Sequence, residues 1–339
     1  MKIALDAMGG DFAPERPVAA GVQALKMFPQ IGKLYLLGDE PAIRTELQKH
    51  DISTVEARLE IRHCTQVIEM SDSPVDGIRK KKDNPISRSM DLIKDDLANA
   101  VVSAGHTGAM VAAATIKLRT LSGIDRPGIA TIMPTETNLF VLIDAGANVD
   151  ARPEHLVQYA IMGSVYSREV LKFPSPRVGL LGIGTEDVKG NANTKETFKL
   201  LRQAPINFVG NIEGHDVFER PVEVVVCDGF VGNVVLKTSE SLAHAIFLWL
   251  KDELTKSPIR KLGAWLARNA FRAIKKKTNY EEYGGSLLLG VNGTCVIAHG
   301  SSTVKALVNA IRVAVEAVQS RVNSQIVDGV ERLAAVVHE

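Results

Sequence analysis

Seven short apolar runs constrain the fold of this chain more than any other feature. They occupy residues 3–6, 34–37, 101–103, 140–143, 178–181, 208–209 and 222–226, and most run straight into Gly, Asp, Ser or Asn. Uninterrupted apolar runs of this length suit strands buried on both faces, as in a parallel sheet. Helical apolar spacing fills the intervals, over residues 18–27, 90–97, 109–121, 153–171, 194–203 and 303–320. Such alternation predicts a mostly parallel sheet covered by helices on both sides. Ligands in sheets of this kind bind beyond the carboxyl ends of the strands, where this sequence concentrates its Gly, Asp, Asn, Ser and Thr. The same residues also punctuate ordinary strand-to-helix turns.

The alternation breaks once. Residues 234–279 carry two long helical patterns with no strand between them, which predicts a helical hairpin grafted onto a single α/β domain spanning 1–339. A composition of 45% hydrophobic and 23% charged residues is ordinary for a globular chain and supports a core without metal or disulfide staples. Forty Lys and Arg against thirty-nine Asp and Glu leave no whole-protein field for nucleic acid. The three cysteines, Cys64, Cys227 and Cys295, are far apart and odd in number, which fits a reducing compartment better than a disulfide framework or a zinc site. An acid at Asp6 comes too early for a signal peptide, and no run of 18 apolar residues exists to span a bilayer. The expectation is a cytoplasmic protein.

Ser103-Ala104-Gly105-His106-Thr107-Gly108-Ala109 is the sharpest local feature. Small residues between a buried strand and a helix let backbone N–H groups turn toward one point, with the helix N-terminus behind them, and that geometry binds an anion such as phosphate. A tight turn without a ligand has the same sequence. The loop lacks the Lys-Ser/Thr ending of a nucleotide P-loop. Gly182-Ile183-Gly184-Thr185-Glu186-Asp187 starts like a dinucleotide fingerprint but ends in Asp, which repels a pyrophosphate. Lys189-Gly190-Asn191 just beyond it can hold phosphate or stabilise an oxyanion, or can be a solvated loop. Asn233, at the end of Asp228-Gly229-Phe230-Val231-Gly232-Asn233, can cap a helix or donate to a substrate oxygen. Gly146-Ala147-Asn148-Val149-Asp150 and His299-Gly300-Ser301-Ser302 complete the rim; His299 can serve as a base or belong to a capping cluster.

Absent motifs narrow the chemistry. There is no G-x-S-x-G elbow, no H-E-x-x-H and no His/Cys/Asp cluster at metal spacing. No histidine is followed five positions later by aspartate, the spacing of glycerol-phosphate acyltransferases. Neither a metal nor another cofactor is expected. From residue 256 to 277, eight Lys or Arg occur without an acid. On a helical wheel Ile259, Leu262, Leu266, Ala270 and Ile274 line one face, and Arg260, Lys261, Arg268, Arg272 and Lys275 the other, with Trp265 and Phe271 on the flanks. This pattern fits a helix lying on an anionic membrane, an acidic carrier protein, or a dimer contact.

Taken in order along the whole chain, these motifs resemble the acyl-carrier-protein:phosphate acyltransferases of bacterial phospholipid synthesis. The residues that carry the resemblance are Asp6-Ala7-Met8-Gly9-Gly10-Asp11, the Ser103–Ala109 loop, Gly146-Ala147-Asn148-Val149-Asp150 and Gln158-Tyr159-Ala160-Ile161-Met162-Gly163-Ser164-Val165. Gly184-Thr185-Glu186-Asp187-x-Lys189-Gly190, Cys227-Asp228-Gly229-Phe230-x-Gly232-Asn233 and His299-Gly300-Ser301 complete the set. The resemblance implies a three-layer α/β/α sandwich, Rossmann-like and related to phosphotransacetylases and isopropylmalate dehydrogenase. It implies transfer of a long-chain acyl group from acyl-carrier protein to inorganic phosphate, without a cofactor.

By the same resemblance, Lys189 and Asn233 are the catalytic candidates, and Ser103, Gly105, His106, Thr107 and Gly108 bind phosphate. Asp6, Gly9, Gly10, Asn148, Gly190, Asn191, Asp228, Gly229, His299 and Ser301 are the further substrate-binding candidates. A homodimer is implied, peripherally attached to the inner face of the membrane through the hairpin and supplying a membrane glycerol-3-phosphate acyltransferase. Two positions depart from the family pattern: His106 stands where Asn is usual, and Val231 where Thr is usual. Three rivals remain: a phosphotransacylase using short acyl-coenzyme A, a metal-dependent dehydrogenase of related fold, and a non-enzymatic carrier scaffold.

Overall fold

The computed structural model describes residues 1–278 and 282–337. Its strands are β1 (Lys2–Asp6), β2 (Lys33–Gly38), β3 (Leu59–His63), β4 (Ala100–Ser103), β5 (Gly128–Pro134), β6 (Leu139–Ile143), β7 (Arg177–Leu181), β8 (Asn207–Ile212), β9 (Val224–Val226), β10 (Ser286–Leu289) and β11 (Thr294–Ile297). Together they form one 11-stranded sheet in the order β3-β2-β1-β4-β11-β10-β5-β6-β9-β7-β8. All seven apolar runs became strands. The four strands they did not announce, β3, β5, β10 and β11, carry weaker patterns: β3 is an edge strand reading Leu-Glu-Ile-Arg-His, and β10 and β11 are short.

Pairing is parallel except around β10 and β5. The β10 strand runs against both β11 and β5, and β5 runs against β6. The block β3-β2-β1-β4-β11 therefore points one way and the block β6-β9-β7-β8 the other. Their carboxyl ends do not share one edge. This reversal divides the glycine-rich loops into two groups.

The helices are α1 (Glu15–Met27), α2 (Glu40–Leu47), α3 (Pro74–Lys80), α4 (Pro85–Lys94), α5 (Thr107–Ala113), α6 (Pro153–Glu169), α7 (Ala192–Leu201), α8 (Asp216–Glu219), α9 (Gly229–Thr255), α10 (Pro258–Leu266), α11 (Arg268–Thr278), α12 (Val304–Gln319) and α13 (Val322–Val337). Alternation along the strands assigns each side chain to one of two cores. Ile3, Leu5, Val224 and Val226 pack under α1, α2, α6, α7, α12 and α13, whereas Ala4 and Val225 pack with α3, α4, α5 and α8 on the opposite face. Each core extends across both strand blocks, giving three layers.

The hairpin differs from its sequence-based outline. Its first arm is one helix of 27 residues that begins at Gly229 and not at residue 234, because the Asp228 carboxylate caps it by accepting from the Val231 N–H at 2.8 Å. The returning arm is two helices and not one. Ser257 caps α10 with Pro258 in its first turn, and Ala267 interrupts the path to α11. Asn279, the expected end of the hairpin, and the Lys275 side chain lie outside the described residues.

Candidate active site

Three loops converge after β1, β4 and β11. Asp6 closes β1 almost fully buried, and the Ser103 hydroxyl at the end of β4 donates to its Oδ2 at 2.6 Å. Ser103 Oγ accepts in turn from the Gly105 N–H at 3.0 Å, and Asp6 Oδ1 accepts from the Met8 N–H at 3.0 Å. One buried carboxylate thus sets the course of two loops. Burial pushes the Asp6 pKa up, against the opposing pull of Ser103 and the backbone N–H groups of Met8 and Gly9. A Cβ on Gly9 would lie 2.6 Å from both Asp6 Oδ2 and the Gly105 nitrogen, so this approach admits only glycine. Gly10 has φ +100°, and the neighbouring Asp11 N–H donates to the Gly300 carbonyl at 2.9 Å, which joins the loop after β11 to the other two.

These loops form one side of a cleft of about 610 Å³. Asp6, Gly9, Gly10, Gly105, His106, Thr107, His299 and Asn233 all line it. Apolar side chains Ile68, Met70, Ile86, Ile129, Ile132 and Leu236 make up much of the rest. Thr131 and Ser286, which also line the cleft, share a hydrogen bond of 2.6 Å between neighbouring strands. His106 caps α5, its Nδ1 accepting from the Ala109 N–H at 3.4 Å, so the neutral ring carries its proton on Nε2. The histidine thereby performs the local capping that an asparagine side chain can perform. Two phosphate-loop candidates do not reach the cleft wall: Ser103 is buried beneath the loop, and Gly108 packs against Pro74 of α3.

The second group of loops follows β6, β7 and β9. Its centre is Asp144, fully buried, whose carboxylate accepts from the backbone N–H groups of Ile129, Gly146, Ala147 and Asn148 at 2.7–3.1 Å. Burial raises the Asp144 pKa while these bonds lower it. A Cβ on Gly229 would sit 2.7 Å from Asp144 Oδ2, and one on Gly232 would collide with the Asp144 carbonyl oxygen. The first turn of α9 is therefore pressed onto Asp144. Asn148 is consumed structurally, its amide donating to the Pro127 carbonyl at 2.5 Å and to Tyr159 Oη at 2.9 Å. Asn191 caps α7 by accepting from the Thr194 N–H at 2.8 Å.

Lys189 stands exposed in this second group, with no ion-pair partner among the described residues. The residues expected on one shared rim fall in two places: Lys189, Gly190, Asn191, Asn148, Asp228 and Gly229 do not line this cleft. The cause is the reversal of strand direction at β10 and β5, which carries the ends of β6, β7 and β9 away from those of β1, β4 and β11. Asn233 connects the groups, since it lines the cleft and also lies 3.5 Å from where a Gly146 Cβ would be. Ser301 also lies off the wall; it bonds His299 Nδ1 at 2.8 Å, and its carbonyl accepts from Arg16 at 3.0 Å.

Several residues of the site gave no signal in the sequence. Asp144 looked like any acid after an apolar run, and Lys237 and Glu240, both on the cleft, fall inside a helical pattern. All three thiols are buried and off the cleft, with Cys64 and Cys295 pushed up to about 12 by desolvation, so none offers a thiolate nucleophile. Among the described residues no group of three or more His, Cys, Asp or Glu side chains is placed to hold a metal ion.

On the hairpin, Leu262, Trp265 and Leu266 are more than half exposed, and Lys261 and Arg272 are exposed as well, while Phe271 is half-buried. Arg260 pairs with Glu253, and the Arg268 guanidinium stacks 4.7 Å over the Trp265 ring. No described helix is long and apolar enough to cross a membrane.

Known proteins supply an independent comparison. A family model described as "Fatty acid synthesis protein" matches residues 1–325. A protein of Akkermansia muciniphila named phosphate acyltransferase is 48% identical over 342 residues, covering 99% of this chain and 97% of that protein. One of the same name from Pelotomaculum thermopropionicum is 47% identical over 333 residues, covering 98% and 96%. Among solved structures, a phosphotransacetylase from Streptococcus pyogenes superposes with a TM-score of 0.63 at 17% identity, over 95% of this chain and 94% of its own, a likeness of fold. On the strength of the model spanning nearly every residue, the chain belongs to the fatty acid synthesis protein family.

Proposed function

We propose that this chain is a phosphate acyltransferase that moves a long-chain acyl group from a thioester donor onto inorganic phosphate. The observation that carries the reading is 47–48% identity, over almost the full chain, to proteins of that name. The cleft supports it chemically. Hydrogen phosphate is already a nucleophile at neutral pH, so its oxygen attacks the thioester carbonyl directly. The C–O bond forms, the C–S bond breaks, and the phosphate proton passes to the departing thiolate, leaving acyl phosphate and free thiol. The protein's part is to bring the two reactants together and stabilise the oxyanion.

In this reading the backbone of Gly105–Thr107 receives phosphate and Asn233 positions the carbonyl. The apolar cleft wall from Ile68 and Met70 to Ile132 and Leu236 fits an acyl chain. Lys189 acts on the oxyanion when its exposed, glycine-bearing loop folds toward Asn233. That loop adjoins the same platform, because the Asn193 amide at the start of α7 donates to the Ala151 carbonyl at 2.7 Å. Lys189→Ala should lower turnover about a hundredfold or more; near-normal turnover would remove the role.

The acyl donor is acyl-carrier protein, the enzyme works as a homodimer, and its hairpin rests on the inner membrane face beside a glycerol-3-phosphate acyltransferase. Exposed Ile259, Leu262, Trp265 and Leu266 beside Lys261, which has no ion-pair partner among the described residues, support the membrane contact. Sedimentation with anionic vesicles tests it: the protein should pellet, and Leu266→Glu should stay in solution. The activity itself is tested by phosphate-dependent loss of long-chain acyl-carrier protein, with acyl-coenzyme A in parallel and the product trapped by hydroxylamine. Consumption without phosphate dependence would overturn the reading, and preference for acyl-coenzyme A would overturn the carrier assignment.

A further inference from the structure

Charge inside the cleft is unevenly supplied. Among the described residues that line it, Lys237 is the sole lysine or arginine, against Asp6, Asp11, Glu69 and Glu240. The acids outnumber it, so a phosphate dianion can be held only where this one ammonium meets it. Lys237 lies one helical turn beyond Asn233 on α9, with Leu236 and Glu240 on the same face, and all four residues line the cleft. Its Nζ sits 2.9 Å from Glu240 Oε2, an ion pair with side chains 47% and 19% exposed. The pair holds the ammonium on the cleft side of the helix while using one of its three donors.

We propose that Lys237, steadied by Glu240, is the side chain that binds the phosphate dianion in the cleft alongside the Gly105–Thr107 backbone and sets the affinity for it. The assignment rests on the phosphate acyltransferase reading and names the cation that reading requires. It also separates two lysines by role. Lys237 meets phosphate in the ground state, and its removal weakens binding. Lys189, off the cleft, is felt only in turnover.

The test is steady-state kinetics of the full-length enzyme with acyl-carrier protein and inorganic phosphate, each varied in turn. Lys237→Met should raise the KM for phosphate about tenfold to a hundredfold, as for loss of one charge-assisted hydrogen bond. Its kcat and its KM for the acyl donor should stay within about threefold. Lys237→Arg should recover most of the phosphate affinity. The double variant Lys237→Met with Glu240→Gln removes the stranded carboxylate; it should keep a phosphate KM well above the unmodified value if the ammonium itself binds the ligand. A phosphate KM unchanged in Lys237→Met, or restored to normal in the double variant, would overturn the assignment. Loss of phosphate dependence in the unmodified enzyme is a separate result that would remove the activity reading.

Discussion

Asp6 and Asp144 occupy comparable posts, each a buried carboxylate at the end of a strand that gathers the backbone N–H groups of the loop beyond it. For Asp144 the raised pKa has a definite consequence for stability. Above the ordinary aspartate value of 3.8 the unfolded chain has released a proton that the folded chain retains, so this residue's contribution falls as pH rises through the folded pKa. Asn cannot titrate. The stability of Asp144→Asn relative to the unmodified protein should therefore increase with pH and then level off, whatever constant offset the amide introduces. Urea unfolding at a series of pH values checks this, and a flat difference would contradict it. Gly9→Ala should cost about 1–3 kcal/mol through overpacking against Asp6 and Gly105, and should weaken phosphate binding at the same time. The sequence marked Asp6 and Gly9 as parts of a motif. It did not mark Asp144 or Lys237, because a count of backbone donors and a choice of helix face exist only after folding.

At the level of elements, buried strands announced themselves by apolar runs, whereas β5, β10 and β11 did not. Of those three, β10 and β5 create the reversal of direction, and so the division of the loops was invisible in a sequence that suggested a single rim. The hairpin was visible as a region, but its start depended on the Asp228 cap and its return arm on the break at Ala267. Only Gly229 and Gly232 of α9 are buried, while Leu242, Ile246 and Trp249 leave 50–66% of their surface open. Their spacing places them along one stripe, which supports the proposed homodimer. Trp249→Ser should change the unfolding free energy of a dilute monomer by no more than about 0.5 kcal/mol, since 66% of its surface is open in the single chain. Sedimentation velocity should show weakened self-association, and an unaltered dimer would place the subunit contact elsewhere.

The whole molecule is a single sheet with one core on each face, and both cores cross from one strand block to the other. Among the described residues neither strand block has a core to itself, which favours unfolding as one unit. Far-ultraviolet circular dichroism should follow one cooperative transition. The two tryptophans, Trp249 and Trp265, are 66% and 58% exposed and both lie on the hairpin. In the dilute monomer their emission should already be red-shifted and should change little as the sheet unfolds. A large blue-to-red shift coincident with loss of the sheet would show that the hairpin is covered in solution.

The pressing of Gly229 and Gly232 against Asp144 also makes α9 a mechanical arm. A helix of 27 residues reaches about 40 Å. Asn233 and Lys237 sit near its fixed end, and the apolar surface sits near its free end. A tilt of about 5° moves the far end by roughly 3–4 Å over that length, but Asn233 by only about 0.5 Å and Lys237 by about 1 Å. Leverage of that ratio means that whatever grips the outer helix is geared down at the cleft, so attachment outside can be loose while alignment inside stays fine.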